Sequence, residues 1–174
     1  MKEKTTPPIV SIIGNSGSGK TTFIERLIPE IKRRGLKVGT IKHDVHGFEM
    51  DKPGKDTWRH KQAGASVTVI SSPYQVGVVI DVDHDHRPEE LLPFLTGMDL
   101  ILTEGYKRGD KPKLEIFRSA ISKEPLCKND KNLLALVSDE DIDVGVPRFS
   151  SKEIDKVTDL LITYFNLAPT QKAK

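Results

Sequence analysis

One cysteine, Cys127, stands in a chain of 174 residues. A single thiol excludes an intrachain disulfide framework and fits a reducing compartment. No apolar run approaches the roughly 18 residues of a membrane span. The first residues, Met1 to Pro8, are polar and lack the apolar core of a secretory signal. A cytoplasmic location with no membrane partner is the expectation. Charge of one sign is also scarce: 27 Lys and Arg against 25 Asp and Glu leave a net charge of +2. A nucleic-acid footprint would need a concentrated basic face, so no nucleic-acid partner is expected. There is no internal repeat and no linker long enough to divide the chain. The length suits one domain, placed at 9–166 between polar tails at 1–8 and 167–174.

What is present is a glycine-rich loop in the right surroundings. Gly14-Asn15-Ser16-Gly17-Ser18-Gly19-Lys20-Thr21 has two glycines five apart followed by Lys and Thr. Ile9 to Ile13 before it is an apolar, β-branched run that reads as a buried strand. Thr22 to Arg34 after it carries Phe23, Ile24, Leu27, Ile28 and Ile31 at helical spacing. Strand, loop and helix together form the P-loop pattern. Polyphosphate needs several N–H donors converging on one point, and the chain can wrap that tightly only where Cβ atoms are missing. The helix N-terminus adds unpaired N–H groups and partial positive charge. Gly14 to Thr21, with Thr22, are therefore the expected nucleotide-binding residues. Lys20 is placed for the β- and γ-phosphates, and the Thr21 hydroxyl for Mg²⁺.

Further along, Pro29 should kink the first helix, and Gly35 sits where a C-cap belongs. Lys37 to Lys42 reads as a second strand, parallel to the first. His43 to Lys55 is a polar loop, and Asp56 can cap a helix reaching Ala63 and ending at Gly64. Two β-rich runs in Ser66 to Asp81 flank the turn signal Ser71-Ser72-Pro73-Tyr74, too close together for a helical crossover. They predict an antiparallel hairpin inserted in a parallel pattern. Pro88 opens a helix to about Leu95.

Leu100 to Gly105 is an apolar strand that ends in Glu104. A P-loop needs a carboxylate nearby for Mg²⁺, and Glu104 is placed for it, whereas Asp99 begins the strand at the other end. Lys113 to Arg118 alternates like a half-buried strand, and Leu133 to Val137 like a buried one. Ser150 to Glu153 has the form of a capping box before a helix carrying Ile154, Val157, Leu160, Leu161, Tyr164 and Phe165. The fold class expected is α/β: a P-loop NTPase with a mostly parallel sheet flanked by helices and an inserted antiparallel hairpin.

Three stretches carry a family resemblance: GNSGSGKTT, IKHDVHGFEMDKPGKDTWRHKQAGA (Ile41 to Ala65) and DLILTEGYK (Asp99 to Lys107). Together they resemble the MobB family of molybdopterin-guanine dinucleotide biosynthesis proteins over roughly Ile9 to Phe165. The resemblance implies GTP as the nucleotide. It also implies action with the nucleotidyltransferase MobA, which joins GMP to molybdopterin, and assembly as a homodimer. Molybdopterin is a further candidate ligand. Glu104, Asp51 and Asp56 are the candidates for positioning water, with Thr21, Glu104 and Asp51 for Mg²⁺. With no sure catalytic Gln and no evident arginine finger, hydrolysis is expected to be slow and the protein mainly an adapter.

Two other readings stay open. A small-molecule kinase shares the P-loop but needs an Arg-rich lid, and Arg87, Arg108, Arg118 and Arg148 are scattered. A metal-delivery GTPase is suggested by His43, His46, His84 and His86, a weak ligand pattern. For the base, no Asn-Lys-x-Asp string follows a late strand. Asn129-Asp130-Lys131-Asn132 precedes its strand, whereas Ser138-Asp139-Glu140-Asp141 follows it, at the ligand end of an open sheet. Asp139 is the candidate reader of guanine, the alternative being acids that solvate a turn.

Overall fold

A computed structural model describes residues 6–168. The outer parts of both expected tails, 1–5 and 169–174, lie outside the described residues. The chain forms two compact units, one reaching His43 and resuming at Pro88, the other spanning Asp44–Arg87.

The first unit is built on a parallel sheet. β1 (Ile9–Ile13) is buried at all five positions. α1 (Lys20–Arg33) follows and buries Phe23, Leu27 and Ile31, a spacing that points one face at the sheet. The chain turns at Gly35, whose φ of 79° is the left-handed conformation that closes a helix without a Cβ penalty. It then enters β2 (Val38–Lys42). β2 pairs with β5 (Leu100–Glu104), and β5 lies between it and β1. On the other side of β1 run β6 (Lys113–Ile116), β7 (Leu133–Val137) and β8 (Arg148–Phe149), giving the order β2-β5-β1-β6-β7-β8. All neighbours are parallel, so every carboxyl end lies on one edge. α3 (Ile154–Tyr164) shares the larger core with α1. On the other face Ile9, Ile41 and Ile101 pack with Leu91, Leu92 and Leu95 of a 3₁₀ helix, Pro88–Leu95.

Two expectations need correction here. β6 is buried at all four positions and not half-buried. Its two charged residues are accommodated by partners: the Lys113 ammonium pairs with Asp130, and the Glu115 carboxylate accepts from the N–H groups of Leu126 (2.6 Å) and Cys127 (2.9 Å). Charges enter a core only when matched in this way. Burial, with Glu115 adding to it, pushes the Cys127 thiol up to about 11. The capping box is only half made. Ser150 N–H donates to Glu153 Oε2 at 2.8 Å, but Glu153 N–H donates to the Ser150 carbonyl, while the Ser150 hydroxyl donates to Asp139 and accepts from Lys152 N–H at 3.3 Å. The two-residue strand β8 has no expectation at all, being too short to show periodicity.

The second unit holds α2 (Asp56–Gln62) and the hairpin β3 (Val67–Ser71) and β4 (Val76–Ile80). Asp56 is the first helical residue and does not cap; Lys55 holds that position in extended backbone, with no side-chain bond. The strands are antiparallel with Val69 opposite Val78, forming a separate two-stranded sheet. The Ser72 hydroxyl closes the turn by accepting from Tyr74 and Gln75 N–H at 3.2 and 3.1 Å. α2 packs beside β3, but Val67, Val69, Val76, Val78 and Ile80 remain exposed. The register places these five on one face. Among the described residues no helix is long and apolar enough to cross a membrane.

Candidate functional site

The loop joining β1 to α1 lies at the carboxyl edge of the sheet, beside its two central neighbours. Gly14 has a φ of 148°, and a Cβ there would lie 2.4 Å from the Ile116 carbonyl oxygen and 2.6 Å from Ser18 Oγ. Gly17 and Gly19 also have positive φ, and Gly19 is the last residue before α1. The loop is therefore held against β6 in a shape that a side chain at Gly14 would break. Ser18 N–H donates to the Asn15 carbonyl at 3.2 Å, while the buried Ser18 hydroxyl has no hydrogen-bond partner among the described residues. An orphaned buried polar group at such a point is what an anion ligand would satisfy.

Lys20 folds back over the loop. Its ammonium donates to the carbonyls of Asn15 (2.9 Å) and Gly14 (3.2 Å). Burial lowers its pKa, partly opposed by the negative charge of Glu104. A desolvated cation held by weak acceptors is primed for a stronger anionic partner. One residue on, the Thr21 hydroxyl donates to Glu104 Oε1 at 3.2 Å. Glu104 reaches it because β5 adjoins β1, with Ile12 in register with Glu104. A threonine hydroxyl and a carboxylate are hard oxygen donors that fit Mg²⁺, which keeps water and phosphate for its other positions. Asp99 is occupied at the opposite end of β5, accepting from Lys37 N–H at 2.6 Å.

Asp51 and Asp56 belong to the second unit, where Asp51 accepts from its neighbour Lys52 N–H at 2.8 Å. His84 and His86 stack at 4.2 Å, and among the described residues no three His, Cys, Asp or Glu side chains gather to hold a metal. In the first unit, His43 stacks on Tyr106 at 4.3 Å. Tyr106 has a φ of 51°, uncommon for a residue with a bulky side chain, and follows Gly105, whose φ is 112°. The sequence gives no cue to this ring pair beyond the glycine.

On the other side of the loop is a cavity of about 380 Å³, running from Gly19 and Thr22 past Arg26 and Arg118 to Asp139 and Glu140. Asp139 does lie on it, but its carboxylate is already engaged. Oδ1 accepts from the Ser150 hydroxyl (2.7 Å) and Ser151 N–H (2.8 Å), and Oδ2 from the Ser151 hydroxyl (2.8 Å). The two serine hydroxyls and that N–H hold its pKa down to about 2, from 3.8. A carboxyl depressed on folding adds stability above its unfolded value, and that contribution fades as pH falls through the folded one. The tie between the β7 end and α3 is therefore intact above about pH 4 and lost toward pH 2. Arg26 and Arg118 do not stand out as a pair in the sequence, because they lie far apart in the chain and share only the lining of this cavity.

A parallel sheet with a glycine-rich loop between β1 and α1, and a carboxylate ending the adjoining β5, places the chain in the P-loop NTPase class. Within that class it belongs to the MobB family: the family described as molybdopterin guanine dinucleotide synthesis protein B matches residues 9–139. A molybdopterin-guanine dinucleotide biosynthesis adapter protein from Haemophilus influenzae is 34% identical over 158 residues, covering 88% of this chain and 87% of that one. The protein of the same name from Escherichia coli is 31% identical over 172 residues, covering 94% and 97%. Among solved structures, MobB from Bacillus subtilis superposes with a TM-score of 0.71 at 30% identity, covering 94% of this chain and 99% of that one.

Proposed function

We propose that the chain binds GTP with Mg²⁺ at Gly14–Thr22 and serves as the adapter of a MobA-type nucleotidyltransferase that joins GMP to molybdopterin. The observation that carries the nucleotide part is the meeting of Thr21 with Glu104 beside a loop holding a desolvated Lys20 and an orphaned Ser18 hydroxyl. The names of the Haemophilus and Escherichia relatives support the adapter part. Glu104, Asp51 and Asp56 are the candidates for positioning water, but with no sure catalytic Gln and no evident arginine finger, intrinsic turnover falls below about 1 per second, the low end of ordinary enzymes. The test is retention of a purified MobA-type enzyme on the immobilised chain. Retention that requires GTP and Mg²⁺ is expected. Retention indifferent to nucleotide, or none, would overturn the adapter reading.

Asp139 is the proposed reader of guanine, exchanging donors from Ser150 and Ser151 for the N1–H and amine of the base. Asp139→Asn should weaken GTP binding and spare xanthosine triphosphate, because the amide can donate to the xanthine carbonyl where the carboxylate cannot. Titration calorimetry with both nucleotides reads this. Equal loss of the two, or no loss, moves the role elsewhere.

The proposed assembly is a homodimer, supported by the exposed face of Val67, Val69, Val76, Val78 and Ile80. Clustered apolar side chains of this kind favour a partner surface, and strand edges pair readily. Sedimentation at micromolar concentration should give a dimer, and monomer alone would remove the idea.

A further inference from the structure

The strand order gives the loop two unlike sides. On one, β5 brings Glu104 to Thr21. On the other, the carboxyl ends of β6 and β7 open onto the cavity of about 380 Å³. A nucleoside triphosphate with its terminal phosphates at Lys20 and its cation between Thr21 and Glu104 has its phosphate chain wrapped by the loop. Its nucleoside must then emerge on the side away from Glu104. The cavity is on that side, begins at Gly19 and Thr22, and has the volume of a small-molecule site.

Two arginines line it. Arg26 lies one turn beyond Thr22 on α1, and Arg118 follows β6. Arg33, Arg34 and Arg148 each hold a carboxylate. Arg26 and Arg118 differ: neither side chain forms an ion pair or hydrogen bond with any described residue, although Asp139 and Glu140 line the same cavity. Those acids are occupied by Ser150, Ser151 and the N–H of Ser119. An unpaired guanidinium is planar, weakly hydrated and suited to stacking on an aromatic face.

We propose that this cavity is the nucleobase subsite and that Arg118, with Arg26 from α1, holds the purine by stacking on its ring. The inference rests on the reading of the loop as a triphosphate site and adds to it the groups that grip the base. Every purine offers a π-face, so stacking supplies affinity without choosing the base. Choice is left to groups at the ring edge, with Asp139 the candidate.

The test is displacement of a fluorescent GTP analogue from the full-length chain, in Mg²⁺ buffer, by GTP, ATP and inorganic tripolyphosphate. Both arginines are exposed, so Arg118→Ala and Arg26→Ala should fold normally, which circular dichroism checks. Arg118→Ala should weaken GTP and ATP by the same factor, roughly tenfold for one lost stacking contact, and leave tripolyphosphate unchanged. Arg118→Lys, which keeps charge without the plane, should behave like Arg118→Ala. Tripolyphosphate weakened as much as GTP would assign Arg118 to phosphate and overturn the proposal, as would full rescue by Lys or undiminished GTP affinity in the Arg26/Arg118 double alanine variant. Failure of the wild-type chain to bind any of the three would instead overturn the triphosphate reading itself.

Discussion

Lys20→Ala should lower GTP affinity about a hundredfold or more, the loss of a charge-assisted phosphate contact of about 3 kcal/mol. The folded protein should be no less stable for it. Lys20 has a pKa below that of a free lysine because burial disfavours its charge, and among the described residues its ammonium's only hydrogen bonds are to two loop carbonyls. The sign follows from linkage. A lysine whose folded pKa is lowered binds its proton less tightly folded than unfolded, so at neutral pH its charge opposes folding. That opposition is relieved only as pH rises from the lowered value toward 10.5. Removing the side chain relieves it at every pH. Calorimetric titration with GTP, paired with thermal melts without nucleotide, separates the two effects. Unchanged GTP affinity would refute the loop as the phosphate site, and a large fall in melting temperature would show that Lys20 is structural.

Asp130→Ala should be the most damaging change outside the loop. Lys113 is only 2% exposed, and Asp130, about a quarter exposed, is its ion-pair partner. Removing one member of a buried pair strands the other, which costs 3–5 kcal/mol when both are fully enclosed; about 2–3 kcal/mol is appropriate here. For a chain of this length that lowers the melting temperature by roughly 5–12 °C. Adding Lys113→Met should restore most of the loss, because no charge is then left inside. A single variant melting within a degree of wild type, or a double variant no better than the single, would mean the ammonium finds other partners. Lys113 also holds the Asp130 carboxyl below its ordinary value. The pair's contribution is therefore present above about pH 4 and declines as pH falls below it.

β6 shows where reading the sequence fails. KLEIFR alternates charged and apolar residues, the pattern of a strand with one wet face, yet both faces are covered. The partners that make this tolerable, Asp130 and the N–H groups of Leu126 and Cys127, arrive from residues 11 to 17 positions away. No local window contains them. β1, α1, β5 and β7 are readable because their burial is uniform or their spacing regular. The separate hairpin is readable from its turn chemistry. In the site, the loop is local and therefore visible, and the approach of Glu104 to Thr21 follows once the strands are known to be parallel. The engagement of Asp139 by Ser150 and Ser151 is not visible, because those serines look like a helix cap. Asp56 misleads in the same way: its residue type suits a cap, and its position one residue later does not.

The close approach of Gly14 to the Ile116 carbonyl bears on motion as well as shape. With no space between them, the start of the loop cannot swing without carrying the end of β6, and Arg118 is two residues further along. The loop proposed to cradle a ligand's phosphates and the strand that leads to the cavity are thus in direct contact. Their spacing is set when the sheet forms, and a ligand arriving later has less disorder to remove from this wall. Association at such a surface resembles a key entering a cut lock, with any slower closure left to parts of the chain that β6 does not anchor.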